Sequence, residues 1–120
     1  MTTKKAQLLA ERDDARATLR QMFDGRERKT VYTILRHVSS SGMSRDISLL
    51  TVSDDGTLRD ITWLACHAMD EKPKDKHGRW VVRVGGCGMD MGFHVVYNLS
   101  YALYGKETDR AGYVLHHEWA

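Results

Sequence analysis

Cysteine is scarce in this chain of 120 residues, whose two cysteines are Cys66 and Cys87. Two cysteines at this separation match neither a disulfide framework nor the ligand spacing of a structural zinc site. Long apolar runs are also missing: no stretch approaches the roughly 18 residues that span a bilayer, and there is no signal-peptide core. We therefore expect a cytoplasmic chain with free thiols and no membrane partner.

A strong net charge is missing as well, since the formal charge is +2. A balance this small does not by itself imply a nucleic-acid or membrane partner. The charge is uneven, however: residues 1–29 hold eight Lys/Arg and five Asp/Glu, whereas residues 30–120 hold ten and eleven. The N-terminal segment is therefore a candidate for contact with nucleic-acid phosphates, although its own carboxylates reduce its positive charge.

The fold prediction follows from periodicity and turn signals. They predict a helix over 4–23, strands over 30–38, 44–53, 58–62 and 79–84, a short helix over 63–69 with Thr62 as its N-cap, a helix over 92–104, and a further short strand in 112–120. Three sequential strands favour an antiparallel meander of three to four strands, and hence an α+β fold in the order α-β-β-β-α-β-α. We expect a basic helix in 1–29 and one α+β domain in 30–120.

Glycine is concentrated in one place, because four of the ten glycines lie within residues 85–92. A glycine-rich turn from strand to helix directs backbone N–H groups and the positive end of a helix dipole at one point. Gly86 and Gly88 are therefore candidate ligands of an anion. In the alternative interpretation the glycines only permit a sharp turn, and Asp90 caps the following helix.

Side chains with useful chemistry follow this glycine segment. Asp90, His94 and Asn98 recur at every fourth position, on one line of a helix. With Cys87 they could form a metal site, an acid–base pair or an activated thiol. Zinc takes three or four protein ligands, so we predict no metal and no cofactor. A solvent-facing polar line and a buried, inert cysteine are the ordinary alternatives.

A second candidate loop is the polar segment 39–45, which joins the first two predicted strands. Its hydroxyls and its arginine suit a phosphate or a carboxylate, and the candidate residues are Ser41, Gly42, Ser44 and Arg45. The alternative is an ordinary polar hairpin turn. If this loop meets the glycine segment, Arg36, His37 and Arg45 would supply the positive charge that Gly86, Gly88, Asp90 and His94 lack. We predict one shared pocket on one side of the sheet.

Two segments, Ser-Gly-Met-Ser-Arg at 41–45 and Gly-Cys-Gly-Met-Asp-Met-Gly-Phe at 86–93, resemble a group of small phage and prophage proteins. The resemblance extends over residues 30 to 104 and leaves the N-terminal helix aside. It implies an accessory product of a mobile element that acts inside a bacterial host cell. Proteins of this kind are often inhibitors or decoys of host defence, including sponges for nucleotide signals. It implies no particular activity and no catalytic residue.

Three functions remain open from the sequence. The first is a binding protein without catalysis, whose partner is a host macromolecule or a small anionic, nucleotide-like ligand. The second is a small hydrolase or transferase that uses Cys87 or His94 with Asp90. The third is nucleic-acid binding through the basic N-terminal helix, which predicts a steep loss of affinity with added salt. A homo-oligomer is compatible with each of them.

Overall fold

The computed structural model describes residues 3–23, 30–52, 55–85, 90–105 and 114–119. Its elements are α1 (Lys4–Phe23), β1 (Thr30–Val38), β2 (Ser44–Val52), β3 (Leu58–Asp60), α2 (Thr62–Ala68), β4 (Val82–Gly85), α3 (Asp90–Tyr104) and β5 (Val114–Trp119). The predicted α+β fold and its element order are confirmed, and the last strand forms as well. None of the described helices is long and apolar enough to cross a membrane.

The described strands form one sheet in which β2 is paired along both of its edges. β1 pairs antiparallel with β2 on one edge, from Val31↔Thr51 to Val38↔Arg45. The other edge is shared, because β4 pairs with the first four residues of β2 and β3 pairs with its last three. β5 extends the sheet beyond β1 and runs parallel to it, an orientation that the predicted meander did not include.

The described helices pack on one face of the sheet. Successive strand residues point to opposite faces, and those that point toward the helices are buried with them. The core contains Val31 and Leu35 of β1, Ile47 and Leu49 of β2, Val82 and Val84 of β4, and Ala15, Leu19, Ala65, Val95 and Leu99 of the helices. We call the opposite face, which carries Arg36, Asp46 and Arg83, the open face.

Two arginines of α1, one turn apart, fasten this helix to the other two. Arg16 Nε donates to the carbonyl of Ala68 at 2.7 Å, and Arg20 Nη1 donates to that of Leu103 at 2.9 Å. Both carbonyls lie in the last turn of a helix, where no intrahelical donor is left for them. A cation is also favourable there because it faces the negative end of the helix dipole. Two cations of the predicted basic patch therefore have a structural role.

The third strand is shorter than predicted, because its last predicted residue belongs to α2. β3 ends at Asp60, and the next two residues, Ile61 and Thr62, are buried in the core. Thr62 is not the N-cap, since Ile61 holds that position without a side-chain hydrogen bond. The Thr62 hydroxyl instead accepts from the N–H of Leu49 at 2.8 Å and donates to its carbonyl at 3.3 Å. This exchange ties the start of α2 to β2.

The fourth strand begins three residues later than predicted, at Val82. Trp80 forms a separate bridge with Lys74, and the N–H of Asp75 donates to the carbonyl of Arg79 at 2.9 Å. Residues 74–80 therefore make a small hairpin of their own, outside the main sheet. This hairpin contributes to the site described below.

The last helix begins at Asp90 rather than at residue 92, so Asp90 is its first helical residue and not a cap that precedes it. Its end agrees with the prediction that Gly105 follows the helix. Gly105 has a φ of +73°, and its N–H donates to the carbonyl of Tyr101 at 2.9 Å. A left-handed residue directly after a helix is the usual place for glycine.

Apolar side chains of α1 dock this helix on the rest of the domain. Ala15 and Leu19 are buried in the common core, and Met22 packs against it. The division of the chain at residue 29 stays a prediction. The hydrophobic core nevertheless includes side chains from before and after this residue.

We expect Leu19→Ala to lower the free energy of unfolding by about 2–5 kcal/mol, since it leaves a cavity in the core. Leu9→Ala is the matched control on the exposed side of α1 and should change that free energy by less than about 0.5 kcal/mol. Urea denaturation followed by tryptophan fluorescence measures both. If Leu19→Ala changed the free energy of unfolding as little as Leu9→Ala does, the docking of α1 would be contradicted.

Candidate functional site

The predicted 39–45 loop is a hairpin turn that satisfies much of its own hydrogen bonding. Ser39 Oγ accepts from the N–H of Ser44 at 3.2 Å and lies 3.1 Å from the hydroxyl of Ser41. Gly42 has a φ of +74°, and Arg45 Nη1 donates to its carbonyl at 3.2 Å. The hydroxyls and the guanidinium thus stabilise the turn, as the ordinary interpretation predicts, while Ser41, Gly42 and Ser44 are exposed.

This hairpin adjoins the first residue of the glycine segment. Ser44 pairs with Gly85, and Arg45 pairs with Val84, across strands β2 and β4. A Cβ atom at Gly85 would lie 3.8 Å from the carbonyl oxygen of Met43, which is ordinary contact. The two candidate loops therefore begin side by side at one end of the sheet.

Most of the glycine segment lies outside the described residues. This part includes Gly86, Cys87, Gly88 and the side chain of Asp90. The shared pocket and the thiol-enzyme hypothesis therefore stay predictions. His94 is exposed on α3, as is Asn98 one turn later. Within the described ranges no three His, Cys, Asp or Glu side chains lie together where they could hold a metal ion.

A β-bulge separates the charges that the sequence analysis grouped together. The register of β1 against β2 shifts between Leu35 and His37, so that Arg36 is the extra residue. A bulge changes the direction of side chains. Arg36 and His37 consequently both lie on the open face, where Arg36 Nε donates to Ser48 Oγ at 3.0 Å. Arg45, two residues before buried Ile47, lies on the helix-bearing face instead.

Three strands contribute to a row of polar contacts on the open face. Asp46 lies opposite His37 of β1 and opposite Arg83 of β4. Asp46 Oδ1 accepts from Arg83 Nε at 3.1 Å, and Asp46 Oδ2 lies 4.0 Å from His37 Nδ1. Arg83 also reaches the 74–80 hairpin, because its Nη2 donates to the carbonyl of Lys74 at 3.0 Å. This row positions the hairpin against the sheet.

The turn of that hairpin is organised by one carboxylate. Asp75, whose side chain is only 5% exposed, accepts from the backbone N–H groups of His77 and Arg79 and from Arg79 Nε, all within 2.8–2.9 Å. Burial alone would raise the pKa of this carboxyl. The hydrogen bonds of Arg79 and His77 to the charged form outweigh burial and lower the pKa to about 2.

These elements enclose a cleft of about 350 Å³, which we call the basic cleft. It is lined by Arg36, His37, Asp46, Asp75, Lys76, His77, Arg79 and Arg83. The two carboxylates are each matched by an arginine: Asp46 by Arg83 and Asp75 by Arg79. Arg36, which bonds a neutral hydroxyl, and Lys76 have no carboxylate partner among the described residues. Such an excess of fixed positive charge favours an anionic ligand.

Most of this cleft is not indicated by sequence patterns. From the sequence, Arg36 and His37 were expected only to supply charge to the glycine segment, and no element was predicted between residues 69 and 79. Asp75 and Gly78 have the spacing of a tight turn, with aspartate first and glycine fourth, and that signal could have indicated the hairpin. The approach of Arg83 depends on strand pairing between distant residues, which no local pattern contains.

A second cleft, of about 440 Å³, lies among the helices. It is lined by Arg16, Met69, Glu71, Asn98, Tyr101 and Ala102. Burial raises the pKa of Glu71, whose Oε2 has no hydrogen-bond partner among the described residues. One carboxyl group and one arginine that already binds a helix end give this cleft little attraction for an anion. The basic cleft is the better candidate site.

Comparisons with known proteins do not assign the chain to a family. No protein-family model matches it, and no curated protein or solved structure does. Its function must therefore be inferred from the geometry of the described residues.

Cys66, the one cysteine among the described residues, is buried, and its thiol donates to the carbonyl of Val81 at 3.2 Å. Burial, with smaller contributions from Glu71 and Asp60, raises its pKa to about 12. We expect Cys66 to resist iodoacetamide at neutral pH until the protein is unfolded, because the thiolate is the reactive form. Peptide mass mapping before and after denaturation measures this. Rapid labelling of native protein at Cys66 would contradict the burial.

Asp75→Asn should destabilise the protein in a pH-dependent way. The folded carboxyl has a pKa of about 2 against an ordinary value of 3.8. The stabilisation that the charged Asp75 carboxylate gives to the fold is therefore complete at pH values above 3.8. It is lost as the pH falls through the pKa of the folded state, about 2. The difference in unfolding free energy between wild type and variant should be constant near neutrality and shrink in acid below about pH 4. Urea titrations over this range measure it, and a constant difference would contradict the assignment.

Proposed function

We propose that this chain is a binding protein whose basic cleft holds a small phosphate-bearing ligand of the nucleotide class, without catalysing its conversion. The observation that carries the proposal is the pair of unmatched cations, Arg36 and Lys76, inside a cleft whose other charges are already bonded. Guanidinium and ammonium groups both bind phosphate oxygens, and the guanidinium can do so with two parallel hydrogen bonds.

The cleft is organised before a ligand arrives. Arg36 is held by Ser48, which is 3% exposed, and this bond uses only Nε. Its two terminal nitrogens remain as further donors for a ligand. The neighbouring arginines are fixed by Asp46 and Asp75. Less side-chain freedom is lost on binding when the charged groups are already ordered, so this arrangement favours affinity.

The lining of the cleft supports binding over catalysis. Among the described residues that line it, both aspartates are already bonded to arginines, which makes them poor nucleophiles and poor general bases. The volume of about 350 Å³ is within the range of small-molecule sites. The alternative function, a small enzyme, would depend on Cys87, His94 and Asp90. The side chain of His94 is exposed to solvent on α3, which is an unfavourable setting for a catalytic base.

The resemblance to phage proteins suggests the setting of this binding. A nucleotide held by an accessory protein in a bacterial cytoplasm is withdrawn from the proteins that respond to it. We propose that the chain counters host defence in this way. A host macromolecule that presents a phosphate group would use the same chemistry.

Arg36→Gln should weaken binding of pyrophosphate or ADP about tenfold or more, because one hydrogen-bonded charge contributes about 1.5–3 kcal/mol. Arg59→Gln removes an equal charge from the exposed strand β3, outside the cleft, and should leave the affinity unchanged. Isothermal titration calorimetry measures both variants. Equal affinity of wild type and Arg36→Gln, or no binding of either probe by wild type, would contradict the proposal.

A further inference from the structure

A concentration of positive charge lies beside the cleft, outside the N-terminal helix. Residues 71–83 hold five Lys/Arg and two Asp/Glu, a formal charge of +3 within a chain whose total is +2. The N-terminal segment has the same excess, but its Arg16 and Arg20 bind the ends of α2 and α3. A polyanion would therefore meet the 71–83 segment more readily.

Three lysines recur at every second position of this segment. Lys72, Lys74 and Lys76 are all exposed, whereas the residues between them are half-buried. Lys72 and Lys74 lie on extended, paired chain: Val81 N–H donates to the carbonyl of Pro73, and Lys74 bridges Trp80. Alternate residues of extended chain lie about 6.6 Å apart on one side, and Lys76 follows in the turn that Asp75 and Gly78 close. We call these three residues the lysine track.

Aromatic rings form a column that ends at the lysine track. The ring centroids of Trp63 and His67 are 4.7 Å apart, and those of His67 and Trp80 are 5.3 Å apart. Lys74 Nζ lies 4.9 Å from the centroid of Trp80. Trp63, at the far end of the column, is 49% exposed. A large exposed indole that is supported by a second ring is a firm stacking surface.

The lysine track and the basic cleft are continuous. Lys76 lines the cleft, and Arg83 donates to the carbonyl of Lys74. Arg83 also borders a shallow depression with Glu71, Lys72 and Pro73. Of the two carboxyl groups in this segment, Asp75 is bonded to Arg79, and burial raises the pKa of Glu71, which disfavours its charged form.

We propose that this surface binds single-stranded nucleic acid, with successive phosphates along the lysine track and in the basic cleft and a base stacked on Trp63. The inference rests on the proposed function in one respect, that the cleft accepts a phosphate group. The exposed charges of the lysine track recur along the surface and suit the repeated phosphates of an extended nucleic-acid strand. Only an unpaired base can present its face to an indole, and such stacking tolerates any sequence.

The test uses the full chain and a short fluorescein-labelled oligonucleotide, as oligo-dT in one arm and oligo-U in the other, with fluorescence anisotropy as readout. The double variant Lys72→Gln/Lys74→Gln should reduce affinity about tenfold and lower the salt slope by about 1.4, because each phosphate contact on a single strand contributes about 0.7. Lys4→Gln/Lys5→Gln removes the same charge from exposed positions of α1 and should change neither quantity. Trp63→Ala should reduce affinity about tenfold without changing the salt slope.

The outcomes separate this inference from the proposed function. If ADP binds the wild type but neither oligonucleotide does, the nucleic-acid surface is refuted and the anion-binding cleft stands. If both bind and Arg36→Gln affects neither, the cleft is refuted. Equal affinity for a duplex of the same length, or preference for vesicles of anionic lipid, would overturn the single-strand assignment.

Discussion

Strand β2 hydrogen-bonds along both edges at once, and the arrangement of charge on the open face depends on that constraint. One edge pairs with β1 and the other is divided between β4 and β3. Asp46 therefore lies between His37 on one side and Arg83 on the other. A register slip of one residue would move Asp46 to the helix-bearing face, and Ile47 would leave the core. Burial of the apolar side of β2 thus fixes the position of the carboxylate that holds Arg83.

The fold uses its basic residues in two different ways. Arg16 and Arg20 point inward, to carbonyls in the last turns of α2 and α3. Cations of the 74–80 hairpin and of β4 instead lie at the edge of the sheet, where Asp75 and Asp46 order the arginines without covering them. Position within the fold, more than the count of charges in a segment, therefore decides which cations are presented to a partner.

Local signals were sufficient to predict the elements and their order. The helix at 4–23, the first strand at 30–38 and the glycine after α3 all follow from propensity and from terminator residues, and the structure has them at those places. The boundaries that differ are set by tertiary contacts. Thr62 joins α2 because its hydroxyl bonds the backbone of β2, and Trp80 leaves the predicted strand because it bridges Lys74.

The basic cleft could not be predicted, because it is assembled from long-range pairing. The bulge at Arg36 has no signature in the sequence, yet it places Arg36 and His37 on one face, where strict alternation would separate them. The contact of Arg83 with Asp46 joins residues that are 37 positions apart. The glycine segment attracted attention because its composition is unusual locally. The residues of the basic cleft come from segments of ordinary composition, and their charges are brought together only by the pairing of the strands.

The most direct test of this account is amide chemical-shift mapping of the full chain by NMR during titration with ADP. The account predicts saturable shifts concentrated at Arg36, His37, residues 75–79 and Arg83, with little change at residues 41–45 and at His94. Shifts concentrated instead in the hairpin turn and the first turns of α3 would return the site to the glycine segment. Either that pattern or the absence of saturable shifts would contradict the assignment of the basic cleft.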